Sequence, residues 1–432
     1  MPEPEPELHG LSRQLGTGLL VALVVGDILG AGIYVLVGEV ARDVGGLVWL
    51  PFTLALVIAG CTASSYAALA ARFPHAAGSA HYVDLAFGLP AATFLTGFAV
   101  VASAISTSAA VSSAVGSQYL GAFVDAPAAP VALCIVAWLT VVAWLGVGTS
   151  ARLVAVMTVI EVSGLLLVVA AGVTGWLDGS AEPARLVDPG STGADSWGVF
   201  GAAALAFFAY LGFEDAVHLS EEVDDPARSF PMAMLVGLAV VGVLYVGVTM
   251  SVGSLLDPDV LAASSSPLLD AIDVSVLHVP ERVFAAIAIV AVTNTALLAL
   301  TTASRQLYGL AEKGSLPGVL AHVGRRRTPV PAIVSAAVVV AVLASTGGVR
   351  ELADTAVTLL LAVFAAVNLA HLRLRRAEVD HDRRVHSTPA RAAVAGVGLV
   401  GGLGLLVHAV SIGGAALVLR VAALVGAGLV VW

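Results

Sequence analysis

Apolar runs of about twenty residues, the length of one bilayer crossing, follow one another along nearly the whole chain. Short charged or Gly- and Pro-rich breaks separate them. The runs lie near 16–37, 44–71, 90–122, 128–147, 151–175, 197–220, 232–256, 282–311, 330–346, 351–372, 393–409 and 413–431. Most are apolar on every face rather than along one stripe, as helices in lipid or deep in a bundle are. The pattern predicts an all-α polytopic membrane protein with 12 transmembrane helices.

Two runs are interrupted. Residues 24–38, VVGDILGAGIYVLVG, carry Gly30 and Gly32 with Asp27 beside them, and residues 205–215, LAFFAYLGFED, carry Gly212 followed by Glu214 and Asp215. A glycine weakens a helix by about 1 kcal/mol relative to alanine, and backbone groups freed at membrane depth cannot face lipid. A break survives where it lines a cavity and its N–H and C=O groups hold a ligand. Close helix packing alone would account for the glycines, but not for acids beside both breaks. Gly30, Gly32 and Gly212 are therefore read as helix-break residues.

Composition agrees: 59% of residues are hydrophobic, 12% are charged and the mean hydropathy is +0.97. The net charge of −10 offers no basic platform for nucleic acid. Cys61 and Cys134 both fall inside apolar runs and read as small buried hydrophobes rather than a disulfide or metal site. The opening MPEPEPELHG is acidic and proline-rich, unlike a signal peptide, so residues 1–14 are expected to form a disordered cytoplasmic tail.

With the N-terminus inside, fifteen Lys and Arg residues fall in cytoplasmic segments against four, Arg42, Arg185, Arg282 and Arg350, on the other side. This bias supports a multi-pass chain in the cell membrane with both termini cytoplasmic. Ten runs divide into two sets of five, 15–176 and 197–372, each headed by an interrupted run. Five is odd, so the second set lies inverted relative to the first: a 5+5 inverted repeat with discontinuous helices 1 and 6. Residues 392–432 add two peripheral helices. The segments 72–88, 177–196 and 257–281 read as loops, and Pro226 and Pro231 as stops after the sixth run.

Four stretches, GDILGAGIYVLVG, ARFPHAAGSAHYVDLAFG, FFAYLGFEDAVHLSEEVDDPARSFPMA and SRQLYGLAEKGSLP, together resemble the amino acid–polyamine–organocation (APC) superfamily of permeases. They stand in the family's order and spacing over most of the chain. The resemblance implies a leucine-transporter-like fold in which N–H groups of Ala31, Gly32 and Ile33 hold a substrate carboxylate. Carbonyls of Phe207, Phe208 and Tyr210 would meet its amine, with Phe208 and Phe213 as an aromatic gate. Helix-end dipoles favour the same arrangement.

Glu161, in VMTVIEVSGLLLVV, lies mid-run with nothing basic within one turn. An ionisable group at that depth is a functional candidate by default. Proton-driven members of the family carry a lysine at the similar position, so Glu161 is a departure. Two readings stand: Glu161 carries the proton itself, or, ionised, it helps hydroxyls such as Thr293, Thr295, Thr301 and Thr302 hold a monovalent cation. Asp27 is a further coupling candidate. Glu214, with Arg72 or Arg228, reads as an inner gate, His218 as a candidate relay, and Arg420 as a residue that pairs or snorkels.

The chain shows no phosphate-cradling loop, nucleophile elbow or paired-cysteine spacing. No catalytic residue, metal or cofactor is expected. The reading is a secondary active transporter of amino acids or related amines, proton-coupled, with alternating access around helices 1 and 6. A cation-coupled or exchange-only permease, or a membrane sensor of the same fold, are the alternatives. The expected partners are a small amine substrate, a proton or monovalent cation, and the bilayer.

Overall fold

The computed structural model describes residues 16–73, 78–124, 126–217, 223, 225–324, 326–378 and 389–432. The first interrupted run forms α1 (Thr17–Ile28) and α2 (Ala31–Val44), followed by α3 (Trp49–Arg72), α4 (Gly78–Phe87), α5 (Pro90–Ala114), α6 (Ala128–Leu145) and α7 (Val147–Asp178). The second forms α8 (Ser196–Ala206), then α9 (Pro226–Leu255), α10 (Pro258–Ala263), α11 (Pro267–Asp273) and α12 (Glu281–Glu312). The chain ends with α13 (Val330–Thr346), α14 (Val349–Glu378) and α15 (Pro389–Val431). The face at the C-terminal ends of α2 and α7 is called outer below.

Nine helical stretches among the described residues are long and apolar enough to cross a bilayer. Two of them, Ala31–Arg72 and Ala390–Val431, run for 42 residues, about twice what one crossing needs. Both are bent. A 3₁₀ turn over Gly45–Val48 divides α2 from α3, and Gly414, at φ 60°, interrupts α15. The shorter apolar helices are α1 and α13.

Local chemistry sets the starts. Asp195 accepts the N–H of Gly198 at the head of α8, and Asp225 accepts that of Arg228 at the head of α9. Each such cap is worth about 1 kcal/mol. Proline opens α5, α9, α10 and α11, where its missing N–H leaves no helical bond unmade. Pro226 therefore starts α9 instead of stopping the preceding run, and Pro231 lies inside that helix.

Two of the segments read as loops contain α-helix. Within 72–88, α4 buries Ser79, Tyr82, Val83 and Ala86 against α5 and α14, a one-sided face too short to stand out by hydropathy. Within 257–281, α10 and α11 do the same with Leu261, Leu268 and Ile272. The cysteines also differ from expectation: Cys61 is half-buried and Cys134 is exposed. Only one side of α6 packs, on α13 and α5, so residues apolar enough for a core face outward there.

At the centre, α5 lies between α12 and α14, while α3 packs on α9. The α5 segment is 78% buried against 11% for α15, which rests on α14 and α3 at the edge. Asn368 of α14 accepts the Ser65 hydroxyl at 2.7 Å and donates to Thr62 at 3.1 Å, a buried polar link between α14 and α3.

On the outer face, the chain between α7 and α8 is strapped over the turn joining α2 to α3. Gly46 N–H donates to the Asp188 carbonyl at 3.1 Å, Trp49 Nε1 to Leu186 at 2.9 Å, and Arg185 to the Leu255 carbonyl at 2.8 Å. A Cβ at Gly46 would lie 1.9 Å from the Arg185 carbonyl oxygen, so only glycine admits this approach. Gly46→Val is expected to destabilise the protein by about 1–3 kcal/mol, as overpacking does, and to expose residues 183–188 to protease. Thermal unfolding in detergent and limited proteolysis check this; wild-type values in both would show that the strap is not held at Gly46.

Candidate functional site

Span one is interrupted between α1 and α2. Leu29 (ψ 112°) and Gly30 (φ −157°, ψ −179°) are extended, and α2 restarts at Ala31. The freed groups are satisfied by side chains of other helices. The Tyr245 hydroxyl of α9 donates to the Ile28 carbonyl at 3.0 Å and accepts the Gly30 N–H at 3.2 Å, bridging both sides of the gap. Thr295 Oγ1 of α12 accepts the Ala31 N–H at 2.7 Å. Gly32 and Ile33, the next residues of the first turn, have no partner for their N–H groups within the helix, and the positive end of its dipole lies there.

Span six is interrupted between α8 and α9. After Ala206 the chain turns through a tight 3₁₀ segment, Phe207–Tyr210, becomes extended at Leu211 (ψ 145°), and reaches Gly212 at φ +124°, a conformation that favours glycine. Glu214, buried, folds back so that Oε2 accepts the Gly212 N–H at 2.9 Å. Asp215 accepts the Thr302 hydroxyl at 3.2 Å.

The two breaks touch each other through their glycines. A Cβ at Gly32 would lie 2.4 Å from Ala209 Cα, and one at Gly212 would lie 2.4 Å from the Asp27 carbonyl oxygen. Gly32 thus sits against the backbone of span six, and Gly212 against that of span one. Asp27 itself is half-buried in the last turn of α1. Below the contact, Phe213 packs with Phe364 (5.3 Å between centroids) and Tyr66 (5.8 Å), and Phe207 packs on Phe364. Tyr210 lies 5.5 Å from the bridging Tyr245, and Phe208 is buried.

Glu161 is wholly buried on α7. Its Oε2 accepts the Asn294 amide of α12 at 3.2 Å, and the same amide reaches Thr158 at 3.2 Å. Oε1 has no hydrogen-bond partner among the described residues, nor does the buried Thr293 Oγ1. The Glu161 carbonyl accepts the Tyr34 hydroxyl of α2 at 2.7 Å, and Tyr119 donates to the Tyr34 carbonyl at 2.6 Å. Gly164, one turn on, makes room: a Cβ there would meet the Tyr34 oxygen at 2.4 Å.

The remaining candidates separate. Arg72 ends α3 with its guanidinium 4.6 Å from the Phe73 ring centroid, and Arg228 is exposed at the start of α9, whereas Glu214 is buried. His218 and the 1–14 tail lie outside the described residues. Thr295 supports the span-one break, Thr302 meets Asp215, and Arg420 pairs with Glu351 at 2.7 Å. Sequence reasoning missed Tyr245, Asn294 and Tyr34. Tyr245 stands by itself in the apolar stretch 232–248 of α9, and that isolation was the available signal; Asn294 sits between Thr293 and Thr295, which drew attention instead.

The amino acid permease family model matches residues 20–428. An uncharacterized transporter of Mycobacterium tuberculosis (strain H37Rv) is 32% identical over 367 residues, covering 84% of this chain and 81% of its own. A vacuolar cationic amino acid transporter of Arabidopsis thaliana is 27% identical over 401 residues, covering 86% and 65%. A branched-chain amino acid permease of Bacillus subtilis is 26% identical over 394 residues, covering 86% and 83%.

Tyr245→Phe removes one atom that serves two backbone groups. Each group left bare costs about 1–3 kcal/mol, so this variant should unfold at a clearly lower temperature. Thermal unfolding in detergent measures this, and a value matching wild type would mean that the gap is held by something other than this hydroxyl.

Proposed function

The chain belongs to the amino acid permease family, and from that premise we propose a secondary active amino acid transporter, proton-coupled, working by alternating access around the two breaks. The observation that carries the reading is the meeting of α2's first turn with the 3₁₀ segment Phe207–Tyr210. N–H groups at a helix start favour a carboxylate, and carbonyls at an interrupted helix end favour an ammonium. Gly32 and Ile33 hold the carboxylate, Ala31 being engaged with Thr295. Phe207, Phe208 and Tyr210 offer carbonyls to the amine; that of Phe208 also accepts the Leu211 N–H and keeps a second lone pair.

In this reading the chain crosses the cell membrane twelve times, as two inverted sets of five and two peripheral helices, with both termini cytoplasmic. The long stretches Ala31–Arg72 and Ala390–Val431 each divide at their bends, at Gly45–Val48 and Gly414. Phe213, with Tyr66 and Phe364, closes the inner side beneath the substrate, and Glu214 holds the loop that begins at Gly212.

Glu161 carries the coupling proton. Its carboxyl is shut away from water, with one oxygen unpartnered among the described residues, and its own carbonyl is tied to Tyr34 in the first turn after the break. A change of charge there acts on the helix whose first turn meets the substrate. Asp27, in the last turn before the break, is a further coupling candidate. The unpartnered oxygens of Glu161 and Thr293 also suit a monovalent cation, so the coupling assay separates the two gradients.

Purified protein in liposomes should accumulate amino acids when a proton gradient is imposed and not when a sodium gradient is. The substrate panel should span the cationic and branched-chain classes for which the relatives are named. Glu161→Gln is expected to abolish uphill accumulation while sparing exchange of labelled for unlabelled substrate, since exchange needs no net movement of the coupling proton. Concentrative uptake undiminished in this variant would remove Glu161 from the coupling step.

A further inference from the structure

A cavity of about 430 Å³ lies at the outer face, among Glu39, Arg42, Ser113, Ser117, Gln118 and Thr346. It belongs to neither break. Glu39 is seven residues beyond Gly32 on α2, so the two share a face, about 10 Å apart along the helix. Around the cavity Glu39 offers only acceptors, Arg42 only donors, and the serine and threonine hydroxyls both. Glu39 is 8% exposed, and both of its oxygens accept one nitrogen of Arg42, at 2.9 and 2.8 Å. Gln118 commits its amide nitrogen to the Val35 carbonyl at 3.1 Å, which leaves its buried Oε1 without a hydrogen-bond partner among the described residues.

The ion pair is lopsided. Arg42's side chain is 44% exposed against 11% for that of Glu39, so the acid is fixed in the wall and the base is the mobile half. A buried carboxylate requires a cation, but an i,i+3 partner held from a solvated position contributes little. A second guanidinium or an ammonium can therefore replace Arg42 at small cost. Arg350 steadies this end of α2 instead, donating to the Glu39 carbonyl at 3.1 Å and to Asp43 at 3.1 Å.

We propose that this cavity is an outer recognition site for the ammonium or guanidinium group of an incoming substrate, which takes Glu39 from Arg42 and donates a further hydrogen bond to Gln118 Oε1. Arg42 is then a resident stand-in for the substrate's cation. The site sets affinity from outside and lies ahead of the breaks, and this assignment rests on the transport reading above.

Two measurements test it separately from that reading. In calorimetric titration with methylguanidinium, Arg42→Ala should bind about tenfold more tightly than wild type and Glu39→Gln about tenfold more weakly, a factor of ten being about 1.4 kcal/mol. In right-side-out liposomes, Glu39→Gln should raise KM for external substrate by a similar factor with kcat within about twofold, and Arg42→Ala should lower KM. Glu39→Gln preserves shape and a hydrogen bond to Arg42, so its unfolding temperature should match wild type. Equal methylguanidinium affinities in all three proteins would overturn the site. Wild-type protein that binds methylguanidinium as expected but moves no amino acid would overturn the transport reading and leave the cation site standing.

Discussion

A gap in a membrane helix leaves donors and acceptors where no water can reach them, and the rest of this structure is arranged around answering that problem. One hydroxyl, that of Tyr245, serves the last carbonyl before the gap and the first N–H after it. A second, that of Thr295, takes the next N–H. Both come from helices that pack beside the broken one, so the break is maintained by its neighbours rather than by its own sequence. What is left over, the N–H groups of Gly32 and Ile33, is the portion of the helix start available to a ligand.

The same economy holds at the other break. Glu214 turns back onto the Gly212 N–H, which keeps its carboxyl in the wall and ends the irregular segment with a hydrogen bond. Glu161 is treated differently. Asn294 meets one of its oxygens and nothing described meets the other. A buried carboxyl with half its capacity unused is poorly explained as a structural strut, and its tie to Tyr34 connects it to the first turn after the gap.

The two interruptions were legible in the sequence because glycine beside acid inside an apolar run is rare enough to stand out. Their partners were not, since a tyrosine or threonine in a long apolar helix reveals its presence but not which helix it will face. Gly32 illustrates the limit: read as a helix-break residue, it is also the point where the backbone at Ala209 leaves no room for a Cβ. Short amphipathic helices such as α4 and α11 escaped because their faces are brief and flanked by polar residues. Cys134 went the opposite way, since hydropathy cannot distinguish a side chain facing lipid from one facing protein.

The reciprocal seating of Gly32 on Ala209 and of Gly212 on the Asp27 carbonyl has a bearing on how such a protein can diverge. Neither contact leaves room for one added methyl, and each is made by a residue from one half of the chain resting on the main chain of the other. The two halves are therefore not free to drift independently at their interrupted helices: a bulkier residue in one is tolerated only with a backbone shift in the other. Substitution at either glycine therefore calls for a compensating movement at the other break, a demand that surfaces away from this contact do not share.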